Sequence, residues 1–307
     1  MLAKVMLKKT FVLLNPALLC SLTSFVILAL LGVFAILLGG AFVAAQETGW
    51  QGIVAAFSFL WQPEKGVYGI LPMFCGSLAL AVLATAIALP VSLGLVGFLW
   101  CEGNSQLFRP IAAVVRSFVR LMLGIPTVVY GFCAFVLLVP TMRFFFAGSG
   151  LGLLTTALLM TLLILPTMTL IMDNAIAQIM GEGQNLSMVT ASLGLSRSRT
   201  FWLVALPARK NWIFVGMFLS FGRALGDTML PLMLIGNAPI MPQGLMDGTR
   251  TLTTHISLLT ATEINPQIEL TLYLAGTLLL LTSTIVSLCG KKLQQMSLHS
   301  TERRGTL

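Results

Sequence analysis

Residues 70–100 read ILPMFCGSLALAVLATAIALPVSLGLVGFLW, thirty-one positions without one Asp, Glu, Lys or Arg. A transmembrane helix needs about 20 apolar residues, so this run by itself predicts a membrane span. Working outward, five more apolar segments can be drawn, at about 18–45, 112–142, 149–172, 211–236 and 267–290. Only 9% of the 307 residues are charged and 57% are apolar, against about 25% charged in a soluble domain. Such a chain cannot cover a water-exposed surface. The composition excludes a soluble globular enzyme, a disordered protein and a disulfide scaffold, and predicts an all-α polytopic membrane protein with six transmembrane helices.

The eighteen Lys and Arg against ten Asp and Glu are explained by where they fall. Fourteen collect on one side of the six spans: Lys4, Lys8, Lys9, Arg109, Arg116, Arg120, Arg197, Arg199, Arg209, Lys210, Lys291, Lys292, Arg303 and Arg304. Lys65, Arg143 and Arg250 fall on the other, and Arg223 lies inside a span. The positive-inside rule then puts both termini and the loop 173–210 in the cytoplasm. The net charge of +8 is a topological signal, and no nucleic-acid partner is expected. Five cysteines without CxxC spacing and two histidines, His255 and His299, suit neither a metal site nor a disulfide framework. The first segment faintly resembles a signal peptide, but its apolar run is about twice the usual 7–15 residues, so an uncleaved anchor is expected.

Two segments carry chemistry. In the loop 173–210, Met188-Val189-Thr190-Ala191-Ser192-Leu193-Gly194 is followed by Ser196-Arg197-Ser198-Arg199 and, further on, Val204-Ala205-Leu206-Pro207. This reads as a short helix, a glycine break and a second helix ended by proline. A helical hairpin with apolar residues at its tip suits a partner's groove; a connector lying on anionic headgroups fits the same pattern. In the fifth span, Phe221-Gly222-Arg223-Ala224-Leu225-Gly226-Asp227-Thr228-Met229 sets Arg223 and Asp227 four apart, within pairing reach on one helical face. An arginine at the centre of a span costs about 2.5–3.5 kcal/mol on insertion scales. Arg223 is therefore expected to pair with Asp227 or to face a water-filled route for a charged solute. Gly222 and Gly226 form a GxxxG that lets another helix approach. Ser77, Ala81, Ala84 and Ala88 give the second span a small-residue packing face, and Arg116 and Arg120 read as snorkelling anchors. No stretch matches GxxxxGK[ST], so ATP, if it drives transport, must be hydrolysed on another chain.

The loop resembles the coupling motif of ABC-importer permeases: EAA, three residues, Gly, nine residues, Ile, one residue, Leu-Pro. Gly194, Val204, Leu206 and Pro207 stand at the matching positions, while Met188-Val189-Thr190 replaces EAA. GRALGDTM is similar to the GRAxGETM of phosphate-importer (Pst-type) permeases, with Asp227 in place of Glu. Gly124-Ile125-Pro126-Thr127-Val128-Val129-Tyr130-Gly131 resembles the family's GIPSVVYG. Gly76-Ser77 through Ala88-Leu89-Pro90, Leu165-Pro166-Thr167 and Asp173-Asn174-Ala175 resemble further family stretches, and Thr249-Arg250-Thr251-Leu252-Thr253 is similar to an external loop of the PstC-type subunit.

The resemblance implies a type I ABC-importer (MetI-like) permease fold, with an anchor helix and external loop at 1–65, the transmembrane domain at 66–290 and a cytoplasmic tail at 291–307. It implies a permease subunit of an ATP-driven phosphate importer in a bacterial inner membrane, not itself an enzyme and without cofactor or metal. The implied partners are a second permease of the same fold, two ATP-binding subunits and an external phosphate-binding protein. Arg223, Asp227 and Thr228 are the expected translocation residues, and Thr190, Ala191, Gly194, Leu206 and Pro207 the expected coupling residues. Two alternatives stay open: a permease for molybdate or sulfate, and a secondary transporter using Asp227 as a proton relay.

Overall fold

The computed structural model describes residues 16–101, 107–146, 148–180, 185–261 and 265–305. Lys4, Lys8 and Lys9, on which part of the charge asymmetry rests, lie outside the described residues, as do residues 181–184 of the loop. The described chain is almost wholly helical: α1 (Pro16–Ala56), a two-stranded hairpin β1 (Trp61–Gln62) and β2 (Val67–Tyr68), α2 (Leu71–Cys101), α3 (Arg109–Met122), α4 (Thr127–Phe145) and α5 (Leu153–Met180). Next come α6 (Asn185–Ser192) and α7, which joins the short pieces Arg197–Arg199, Thr200–Ala205 and Leu206–Ala208. The chain closes with α8 (Lys210–Gly226), α9 (Met229–Leu234), α10 (Leu252–Leu259) and α11 (Pro266–Gly305).

Five of these helices, α1, α2, α4, α5 and α11, are long and apolar enough to cross a membrane. Two expected spans take a different form. Segment 112–142 is not one helix: α3 ends at Met122, and Pro126 adopts an extended backbone (ψ 140°) before α4 begins. A residue before proline is steered away from helical geometry and proline supplies no amide hydrogen, so the break falls where Gly124-Ile125-Pro126 stands. Tyr130 closes the joint by donating its hydroxyl to the Met122 carbonyl at 2.9 Å. Segment 211–236 is also interrupted, between α8 and α9.

The core is a seam between α2, α5 and α8. Met160, Ile164, Met168, Met172 and Ile176 recur every fourth residue along α5, and none of them is more than 2% exposed. Against α5 lies the small-residue face of α2, where Ala81, Ala84 and Ala88 are fully buried. With no water to expel, membrane helices associate through close packing and buried hydrogen bonds. Both occur here, since Thr161 Oγ1 donates to the Ala84 carbonyl at 3.1 Å. The GxxxG of α8 does not act this way within the chain. A Cβ on Gly222 would meet Val286 of α11 at an ordinary 3.5 Å, and one on Gly226 would meet nothing. Helix α1 packs chiefly along α11 and shows most of its apolar surface outward, with Phe25, Leu28, Ile36 and Phe42 about two-thirds exposed or more.

Candidate functional site

Arg223 sits three residues before the end of α8, which stops at Gly226 because Asp227 turns out of helical geometry (φ −76°, ψ 132°). Asp227 then opens the next helix: its Oδ2 accepts the Leu230 amide hydrogen at 3.0 Å, the side-chain cap that aspartate gives a helix start. The Thr228 carbonyl takes the Leu232 amide hydrogen at 3.0 Å and so begins the α9 ladder. The Arg223–Asp227 pair expected from helical spacing is therefore not made. Among the described residues the one ion pair joins Arg116 to Asp173. Arg223 turns instead to α5, where Nη1 donates to the Thr167 hydroxyl at 3.0 Å. A half-buried guanidinium thus reaches a neutral hydroxyl and, among the described residues, meets no carboxylate within ion-pair distance.

The expected coupling residues fall on an arm that leaves α5 and returns to α8. Helix α6 ends at Ser192 and is closed two residues later by Gly194, with φ +76°. The Gly194 amide hydrogen-bonds to the Ala191 carbonyl and the Leu195 amide to the Thr190 carbonyl, both at 3.0 Å. This double closure is the Schellman cap, and its left-handed residue is best filled by glycine. Thr190 is buried, its hydroxyl donating to the Leu186 carbonyl at 2.8 Å. Met188 and Leu193 are both 73% exposed at the tip. Beside them Thr190, Ala191, Leu195, Arg197 and Thr200 line a cavity of about 330 Å³. The arm is anchored by Phe201, fully buried against Gly97 of α2, and by Ala205. Leu206 packs on the core while Pro207 is exposed. Pro207 stands one residue before α7 ends at Ala208, near the helix end expected there. The widened turn Thr200–Ala205 precedes it.

A third constellation ties α3 to α2 and α5. Trp100 at the end of α2 donates its indole N–H to Asp173 Oδ1 at 2.7 Å. Arg116 of α3 lies 3.8 Å from Asp173 Oδ2 and stacks 5.6 Å over the Trp100 ring. Arg116 is thus no simple snorkelling anchor. An aromatic, an acid and a base spread over 73 residues share no local spacing that could have announced them.

Over residues 94–295 the chain matches the family model of the binding-protein-dependent transport system inner membrane component. It belongs to this family. The permease is 33% identical over 204 residues to the "Probable ABC transporter permease protein YqgH" of Bacillus subtilis, a match covering 66% of this chain and 64% of that protein, a little under two thirds of its length. It is 30% identical over 253 residues to the "Phosphate transport system permease protein PstC" of Xylella fastidiosa, covering 76% of this chain and 75% of that one. Its fold is similar to that of a solved chain of the MetNI methionine ABC transporter in an inward-facing conformation, with a TM-score of 0.59, 14% identity, and coverage of 78% of this chain and 99% of that one. The permease is accordingly a multi-pass transport component of the MetI-like architecture.

Within this permease Arg223, Asp227 and Thr228 lie at one helix break, and the expected coupling residues lie together on one arm. Thr167, in the family-like stretch Leu165-Pro166-Thr167, accepts a hydrogen bond from the Arg223 guanidinium. Thr167→Val keeps the shape and removes that acceptor. A hydrogen bond to a charged group contributes about 1.5–3 kcal/mol, so transport by the assembled complex is expected to slow by about tenfold. An unchanged rate would show that Thr167 does not position Arg223.

Proposed function

We propose that this permease is one membrane subunit of an ATP-driven phosphate importer, and that the anion crosses beside Arg223. The observation that carries the reading is Arg223 itself: a half-buried cation in the interrupted helix, held by a hydroxyl and without a carboxylate partner among the described residues. A cation at membrane depth that makes no close ion pair is expensive and marks an ion pathway by default. Several relatives bear the name of phosphate transport system permease PstC, which supports phosphate over molybdate or sulfate. A single guanidinium attracts a tetrahedral anion without the multidentate grip that would trap it, and conduction needs binding weak enough to release.

In this reading a second permease of the same fold completes the path, and an external phosphate-binding protein delivers the anion. Two ATP-binding subunits engage the arm from α6 to α7, whose exposed Met188 and Leu193 suit an apolar groove. The basic side of the chain, with both termini, faces the cytoplasm.

The test is ATP-dependent uptake of radiolabelled phosphate by the complete complex in proteoliposomes, with sulfate and molybdate offered in excess. Phosphate is expected to accumulate and neither rival to compete. ATP-dependent accumulation of sulfate or molybdate in place of phosphate would overturn the substrate assignment.

A further inference from the structure

We propose that Arg250 forms an outer anion-binding station, taking the oxyanion on the external side of α9 before it reaches Arg223. The proposal rests on the phosphate-importer reading and adds a second cation to its route. Arg250 lies in the segment between α9 and α10, and this segment is built into the site. Thr249 donates its amide to the Ile235 carbonyl at 3.1 Å, just past the end of α9. The Leu252 amide donates to Ser77 Oγ at 2.8 Å. A Cβ on Gly76 would come within 2.5 Å of the Arg250 carbonyl, so the backbone lies directly on α2 where only glycine fits. Thr253 Oγ1 donates to the Asp227 carbonyl at 3.1 Å, joining this segment to the very break that follows Arg223. The short helix α9 is therefore bracketed, with Arg223 ahead of it and Arg250 beyond it.

The surroundings of Arg250 are polar and half-buried, and among the described residues it forms no ion pair. Its Nε donates to the Asn237 carbonyl at 3.0 Å, and Nη1 lies 3.4 Å from Nδ1 of His255. Both partners are neutral: burial, with the Arg250 charge as a lesser cause, pulls the His255 imidazole down to about 3. The two acids nearby are already committed. Asp247 Oδ2 accepts from the Gln243 and Gly244 amides at 3.0 and 2.6 Å, and Asp227 caps α9. Two buried polar atoms on the residues that touch Arg250 also lack a partner, Nε2 of His255 and Oδ1 of Asn237. The Asn237 amide is oriented by its Nδ2 donating to the Leu232 carbonyl at 2.7 Å, which fixes Oδ1 as an open acceptor. Buried polar atoms are rarely left unpaired without a ligand, water or function to account for them. A cation with neutral hydrogen-bond partners among the described residues, beside the open Nε2 of His255, is suited to a small oxyanion, whose protonated oxygen the Asn237 acceptor can take.

The test uses the complete complex in proteoliposomes, driven by phosphate-loaded binding protein added outside. In Arg250→Gln, phosphate uptake at saturating binding protein is expected to fall about tenfold, the effect of losing one charge-assisted hydrogen bond. The ATPase rate and the binding-protein concentration for half-maximal stimulation are expected to stay as in the unsubstituted complex, and Arg250→Lys is expected to recover most of the uptake. Unchanged phosphate moved per ATP in Arg250→Gln would overturn the proposal. So would a loss that appears only as weaker engagement of the binding protein, since Arg250 would then be a docking residue. Failure of both the Gln and the Lys variants to assemble would show that Arg250 merely holds its loop. If the unsubstituted complex transports no phosphate, it is the substrate reading that fails, and the two failures are told apart.

Discussion

Replacing Arg223 by glutamine is expected to cut phosphate uptake by about tenfold to a hundredfold while the complex still assembles. The size follows from removing a charge-assisted contact to an anion in a region shielded from bulk water, about 1.5–3 kcal/mol. Assembly should survive for two reasons. A neutral side chain is easier to place in a span than arginine, which costs about 2.5–3.5 kcal/mol there, and glutamine can still donate to the Thr167 hydroxyl that Arg223 uses. Uptake of labelled phosphate, measured beside the yield of intact complex, checks both halves. Normal uptake would remove Arg223 from the route. The same assay on Asp227→Asn separates the importer from a proton-coupled carrier. Asparagine retains an oxygen to cap the Leu230 amide, so ATP-driven uptake should largely persist, whereas a proton relay would be lost.

The second large effect is expected at Gly194. Its φ of +76° is one that an L-residue adopts at a cost of about 1–2 kcal/mol. A Cβ placed there would meet nothing within 4 Å, so the penalty comes from the backbone and not from crowding. Alanine should therefore do nearly as much harm as a bulky residue, a β-branched residue more, and asparagine, which tolerates this region, least. If the α6–α7 arm engages the ATP-binding subunits, Gly194→Val should loosen the Schellman cap and lower their recovery with the membrane subunits by about fivefold to thirtyfold, as 1–2 kcal/mol implies. Undiminished recovery and transport with valine would place the docking surface elsewhere.

The long spans were legible because a run such as 70–100 has no charge to stop it, and the packing face of α2 because four small residues recur at helical spacing. The breaks were harder to read. Across 211–236 the sequence stays apolar on both sides of Asp227, so a helical i,i+4 pair was the natural reading of Arg223 and Asp227. The competing signal was present: an aspartate two residues before Met229 can cap a new helix as readily as it can pair with an arginine. In 112–142 the apolar run hid α3, whose three arginines Arg109, Arg116 and Arg120 mark an amphipathic helix, and Pro126 marks its separation from α4. The Trp100–Arg116–Asp173 cluster depends on residues brought together from distant segments. Such contacts leave no trace in local spacing.

Helix α1 leans chiefly on one neighbour, α11, and the family match begins only at residue 94. The interior seam of α2, α5 and α8 is closed without it. A transporter built this way can vary its leading helix, as a house can change its porch, while the moving parts within keep their fit.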